Sequence, residues 1–247
     1  MSHIQTERRD GVLVMTIARP EKKNALTAEM YSDLRAGLDA ARDDDEVRVL
    51  LLAGGPGMFT AGNDVMDFLQ QPPTSEDSPV FRFLAGLVEF PKPIVAAVDG
   101  VAVGIGTTLL LHCDLVVATA RARLALPFAK LALVPEAGST LLLPLAVGYQ
   151  RAAEWLLLGE PISGEDAYRA GLVNRLVEPE ALETTALELA DALAALPPEA
   201  VQASKRLLKD PLRDQTMAAI RREATVFLER LKSREAKRAF AAFLSKA

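Results

Sequence analysis

The chain has 247 residues, 50% apolar and 25% charged, which is enough for one large core with or without a helical appendage. Its net charge of −5 leaves no electrostatic footprint for nucleic acid or a membrane surface. No apolar run reaches the roughly 18 residues a membrane span needs, the start MSHIQTERRD lacks an apolar leader, and the single Cys113 excludes an internal disulfide, so a cytoplasmic protein is expected.

In chain order, residues 11–18 (GVLVMTIA) predict a β-strand stopped by Arg19-Pro20. Thr27 can cap a helix on which Leu26, Met30, Leu34 and Leu38 recur every four residues, as far as about residue 42. Residues 47–53 (VRVLLLA) are nearly all apolar and predict a buried strand, with a turn at 54–57. The polar, proline-rich 70–79 (QQPPTSEDSP) reads as a mobile surface loop. A helix at 80–89 precedes a buried strand at 93–98, closed by Asp99-Gly100. A small-residue helix then runs from Gly104 toward Cys113, before short strands at 115–119 and 123–126.

From 137 onward helices dominate, with breaks at Gly148, Gly159 and Gly171 and a last strand at 174–178. Three helices are expected after Pro179, Pro197 and Pro211, the last with Ile220, Ala224, Phe227 and Leu231 on one face. The basic pairs Lys205-Arg206 and Arg221-Arg222 read as solvated helix faces. Strands linked by crossover helices, then a helical tail, define an α/β fold.

Histidine chemistry has little to work with. His3 lies near a terminus read as frayed, and His112 in LLLHCDLVVA reads as a satisfied core residue, with Cys113 as a buried thiol. No Gly-x-Ser-x-Gly occurs and no Cys/His cluster has ligand spacing, so neither a serine triad nor a metal site is expected. Three other segments stand out: MFTAGND (58–64) after a buried strand, DGVAVGIG (99–106) leading into a helix start, and VPEAGST (134–140) before an apolar helix. Each has a plain structural reading. The first is a turn, the second a close helix packing, and Glu136 in the third is a carboxylate in a helix first turn, where the dipole favours it.

In this order and spacing the segments resemble the crotonase superfamily, the enoyl-CoA hydratases and isomerases. The resemblance runs from RPEKKNAL (19–26) to AFAAFLSK (239–246); its core is FTAGNDV and GVAVGIGTTLLLHCD, with GYQRAAEWLLLGEPISGEDAYRAGLVNRLVE also typical. It implies a crotonase-like (ClpP/crotonase) spiral of ββα units, with 1–195 as the spiral core and 196–247 as a C-terminal helical trimerisation region. It also implies a homotrimer or homohexamer, an acyl-CoA thioester substrate, and no cofactor, metal, nucleic-acid or membrane partner; coenzyme A is part of the substrate. By motif position the backbone N–H groups of Asn63 and Ile105 form an oxyanion hole. Lys22, Ala61, Gly62, Asp64, Val65, Gly104, Gly106, Phe243 and Lys246 fall at substrate or CoA contacts, with Gly62 and Gly106 allowing close approach.

Typical hydratases of the family carry two glutamates, at positions matched here by Thr108 and Phe128. Glu136 stands where they have glycine. This pattern resembles the peroxisomal-type 3,2-trans-enoyl-CoA isomerases of fatty-acid β-oxidation, in which one glutamate carries a proton from C2 to C4. One base and an oxyanion hole suffice for that shift. An apolar lining of Phe128, Leu133 and Leu141 would raise the base's pKa. Three alternatives remain: hydration or thioester hydrolysis with Asp64 or Asp67 as second carboxylate, a non-catalytic acyl-CoA-binding chain, and RNA binding.

Overall fold

The computed structural model describes residues 2–245. Strands β1 (Ile4–Arg9) and β2 (Val12–Ile17) pair antiparallel, and α1 (Ala28–Asp43) follows, capped by the Thr27 hydroxyl on the Met30 N–H. A unit then repeats: a strand in a large sheet, a short strand in a small sheet, then helix. Its first turn is β3 (Val49–Gly54), β4 (Met58–Thr60), α2 (Val65–Gln70) and α3 (Pro79–Glu89). The second is β5 (Ile94–Val98), β6 (Val101–Val103) and α4 (Ile105–Thr108). The third is β7 (Leu115–Thr119), β8 (Arg123–Ala125), α5 (Ser139–Val147) and α6 (Tyr149–Leu158). After β9 (Ile162–Ser163), α7 (Gly164–Arg169) and β10 (Arg175–Val177) come α8 (Leu182–Ala194), α9 (Pro198–Leu231) and α10 (Arg234–Leu244). The large sheet has the order β1-β2-β3-β5-β7-β10 and the small one β4-β6-β8-β9. This alternation is the expected spiral of ββα units.

Parallel strands covered on both faces lose their polar alternation. In β3, Leu50 and Leu52 face the main core, while Val49 and Leu51 face a second apolar layer. There Ala186, Ala190 and Ala194 of α8 lie against the sheet, small residues that let a helix approach closely. At the end of β5, Asp99 ties the two sheets together. Its carboxylate accepts from the Gly57 N–H at 2.7 Å, the Thr119 hydroxyl at 2.7 Å and the Arg121 guanidinium, which hold it down to about 2 against its burial.

Four expectations are corrected. β1 was not foreseen: its IQTERR side chains are mostly solvated, so backbone pairing with β2 holds it without an apolar pattern, and His3 is tied in by its carbonyl accepting from the Ala18 N–H. Pro211 starts no helix, because α9 runs unbroken from Pro198 to Leu231 with Pro211 inside it. A proline costs about 3 kcal/mol there, and the buried Thr216, Ala219, Ile220, Ala224 and Phe227 beyond it offset that cost. Lys205 is not solvated; it is 6% exposed, paired with Asp114 at 2.8 Å, bonded to the Lys92 carbonyl and seated over the Phe90 ring. Glu136 is not in a helix first turn, as described below. Ile220, Ala224, Phe227 and Phe240 join the main core, so the C-terminal helices pack on the chain's own spiral.

Candidate active site

A cavity of about 400 Å³ opens where the β4–α2 turn, the start of α4 and the C-terminal helices meet. Lys22, Ala61, Gly62, Asn63, Asp64, Val65, Gly104, Ile105, Phe128, Leu133 and Phe243 line it, together with Phe227, Phe240 and Leu244. Lys22 stands exposed at the rim. Lys246 lies outside the described residues.

The chain frees two N–H groups at this wall. Leu26 bridges the turn by donating to the Gly62 carbonyl and accepting from the Asp64 N–H, both at 2.8 Å, so the Asn63 N–H between them points away from that ladder. Ile105 is the first residue of α4, where an N–H has no intrahelical acceptor. Among the described residues neither N–H has an acceptor. Two such donors can hold the oxygen of a polarised thioester. Gly62 is required here: its φ is +88° and a Cβ would stand 2.7 Å from the Val103 carbonyl oxygen. Gly106 is not on the cavity wall. A Cβ there would meet the Thr60 side chain at 2.6 Å, so its role is to let α4 lie against β4.

Glu136 is 7% exposed and sits in the turn ahead of α5, with Ala137 and Gly138 in left-handed backbone conformations, φ 61° and 72°. The Ser139 N–H donates to its carbonyl, and His112 Nε2 donates to the Ala137 carbonyl at 2.7 Å. His112 is thus a satisfied core residue, which burial holds neutral by lowering it to about 4. Cys113 is half-buried, its thiol pushed up to about 12 by burial. The Thr108 hydroxyl donates to Glu136 Oε1 at 2.5 Å. Burial raises the Glu136 carboxyl to about 8; the Thr108 bond opposes that rise and the charge of Glu223 adds to it. Neither Glu136 nor Leu141 is among the residues lining the cavity.

The other carboxylates are committed elsewhere. Asp64 is raised by its burial, but the Arg19 guanidinium at 2.8 Å and the N–H groups of Met66 and Asp67 outweigh that and hold it low. Asp67 accepts from the Ala28 N–H at 2.8 Å. Among the described residues no group of His, Cys, Asp and Glu could hold a metal ion. Sequence reasoning missed two residues. The Tyr31 hydroxyl donates to Asn63 Oδ1 at 2.6 Å, and Glu223 binds the turn after Glu136. The available signal was a polar side chain on an apolar stripe, Tyr31 beside Met30 and Leu34, and Glu223 among Ile220, Ala224 and Phe227.

The profile described as enoyl-CoA hydratase/isomerase matches residues 7–247, and the chain belongs to this family, the crotonase superfamily of acyl-CoA enzymes. It is similar to the solved structure of Pseudomonas aeruginosa OdaA, with a TM-score of 0.96 and 48% identity over 98% of this chain and 99% of that one. It is 34% identical to enoyl-CoA delta isomerase 2 of Rattus norvegicus over 96% of this chain and 62% of that protein. It is also 34% identical to 2,3-dehydroadipyl-CoA hydratase of Escherichia coli K12 over 100% of this chain and 97% of that protein. Equal identity to an isomerase and a hydratase assigns the family and leaves the reaction to the site.

Proposed function

We propose that the protein shifts the double bond of a 3-enoyl-CoA from C3 to C2. The thioester oxygen lies between the N–H groups of Asn63 and Ile105. The Glu136 carboxylate takes a proton from C2, leaving a dienolate whose negative oxygen those donors stabilise, and the resulting carboxylic acid returns the proton at C4. Each donor of this kind contributes about 10²–10³ in rate. The observation that carries the reading is the placement of Glu136: a carboxyl 7% exposed and bonded to one hydroxyl, whose burial raises it toward neutrality, as suits a group that both takes and returns a proton. Two-carboxylate hydration has less support, since Asp64 and Asp67 are bound to Arg19 and backbone N–H groups, and Phe128 is a wall residue.

One observation favours a non-catalytic acyl-CoA-binding chain: Glu136 is not among the residues lining the cavity. Turnover of 3-enoyl-CoA by purified protein, compared with hydration of 2-enoyl-CoA, separates the readings. Isomerisation faster than hydration is expected. Faster hydration would replace the proposal, and binding without either reaction would leave the non-catalytic reading.

A further inference from the structure

Glu223 is a buried acid that the proposed reaction does not use. It lies on α9, is 5% exposed and points into the core between Ile220 and Phe227. Its Oε2 accepts from the Gly138 N–H at 2.6 Å, and its Oε1 from the N–H and hydroxyl of Thr140 at 2.9 and 2.5 Å. These bonds fall on the start of α5, two to four residues beyond Glu136. The cap of α5 is Gly138, at positive φ and with no side chain to bind the first N–H groups. A cap side chain normally does this; here a carboxylate 85 residues away does it.

We propose that Glu223 is the positioning residue for Glu136: its carboxylate clamps the turn that carries Glu136, and its charge faces the group that moves the proton. The inference rests on the reading of Glu136 as that group. Titratable and hydroxyl groups from several elements gather around Glu136 and the turn that carries it. α1 supplies Tyr31, α4 supplies the Thr108 hydroxyl, the segment before β7 supplies neutral His112, and α9 supplies Glu223 with Arg222 beside it, as well as Lys209, which donates to the His112 carbonyl. One turn beyond Glu223, Phe227 lines the cavity and meets Phe68 edge-on at 5.8 Å. The same helix therefore holds the base and walls the substrate space.

The test is an isotope-edited infrared titration of the Glu136 carboxyl, identified by its loss in Glu136→Gln, in the wild type and in Glu223→Gln. Removing a neighbouring negative charge favours ionisation, so the midpoint should fall by roughly 0.5–1 pH unit. An unchanged midpoint in folded Glu223→Gln overturns the proposal. If Glu223→Gln does not fold, Glu223→Asp keeps the charge on a shorter arm. The midpoint then stays, and the Gly138 and Thr140 amide protons exchange at least about tenfold faster; unchanged exchange overturns the clamp. A shifted midpoint in a protein that does not isomerise 3-enoyl-CoA upholds the charge of Glu223 facing Glu136 and sinks the isomerase reading instead.

Discussion

The Thr108 hydroxyl donates to Glu136 Oε1 at 2.5 Å, at a position where the hydratases this chain resembles carry a glutamate. A donor there favours the carboxylate and opposes burial. Thr108→Val keeps the shape and removes the donor, so the Glu136 pKa rises. The rising limb of kcat against pH should move up by about one unit, with kcat at pH 7 about tenfold lower and KM little changed. Thr108→Ser should restore the limb. A limb that does not move in Thr108→Val would show that the bond does not tune the base.

Glu136→Gln keeps the side chain's shape and removes its basic oxygen. With 3-enoyl-CoA, kcat should fall at least about 10²-fold at little cost in KM. Near-wild-type isomerase activity in this variant would end the assignment of Glu136.

Stability against pH should show two buried groups in opposition. The folded pKa of Glu136, about 8, lies above its unfolded value of 4.5. The folded chain keeps a proton that the unfolded chain releases, so stability falls as pH rises through that window. The folded pKa of His112, about 4, lies below its unfolded value of 6.5, so its contribution rises with pH up to 6.5. Each slope is about 1.4 kcal/mol per pH unit, and between pH 4.5 and 6.5 the two cancel. His112→Gln should therefore lose about 3 kcal/mol relative to wild type across that interval, and Glu136→Gln should gain about as much. Urea unfolding at stepped pH reads both; parallel curves for all three proteins would contradict the two burial shifts.

Phe243 lines the cavity while 48% exposed, so a ligand there would cover it. Phe243→Ala should raise KM for acyl-CoA about threefold to tenfold, with kcat within about twofold. An unchanged KM would place the ligand elsewhere.

Leu145, Tyr149, Leu157 and Leu158, on α5 and α6, are 57% to 71% exposed. That much open apolar surface fits a chain that buries it against copies of itself. Light scattering at micromolar concentration should give the mass of a trimer or hexamer, and a monomeric mass would refute this.

What could be read from the sequence was whatever repeats locally. The four-residue spacing of Leu26, Met30, Leu34 and Leu38 gives α1, and the apolar runs of β3 and β5 mark strands covered on both faces. β1 left no mark because its side chains face solvent. Pro211 misled because packing beyond it outweighs a local rule. In the site, the turns that free the Asn63 and Ile105 N–H groups are visible as glycine-bearing motifs. Tyr31 and Glu223 show in the sequence only as polar side chains on apolar stripes; which groups they and Thr108 bind is set by contacts made in three dimensions, which no spacing encodes.

The 85 residues between Gly138 and Glu223 also set an order of events during synthesis. At about 5–20 residues per second, the turn bearing Glu136 emerges roughly 4–17 s before the carboxylate that clamps it. Over that interval the spiral's strands can pair and the first apolar layers can close, while the start of α5 stays uncapped and the cavity lacks its Phe227 wall. A nascent chain paused in that interval would hold most of its fold and none of its finished site, so its activity should switch on late, when α9 docks.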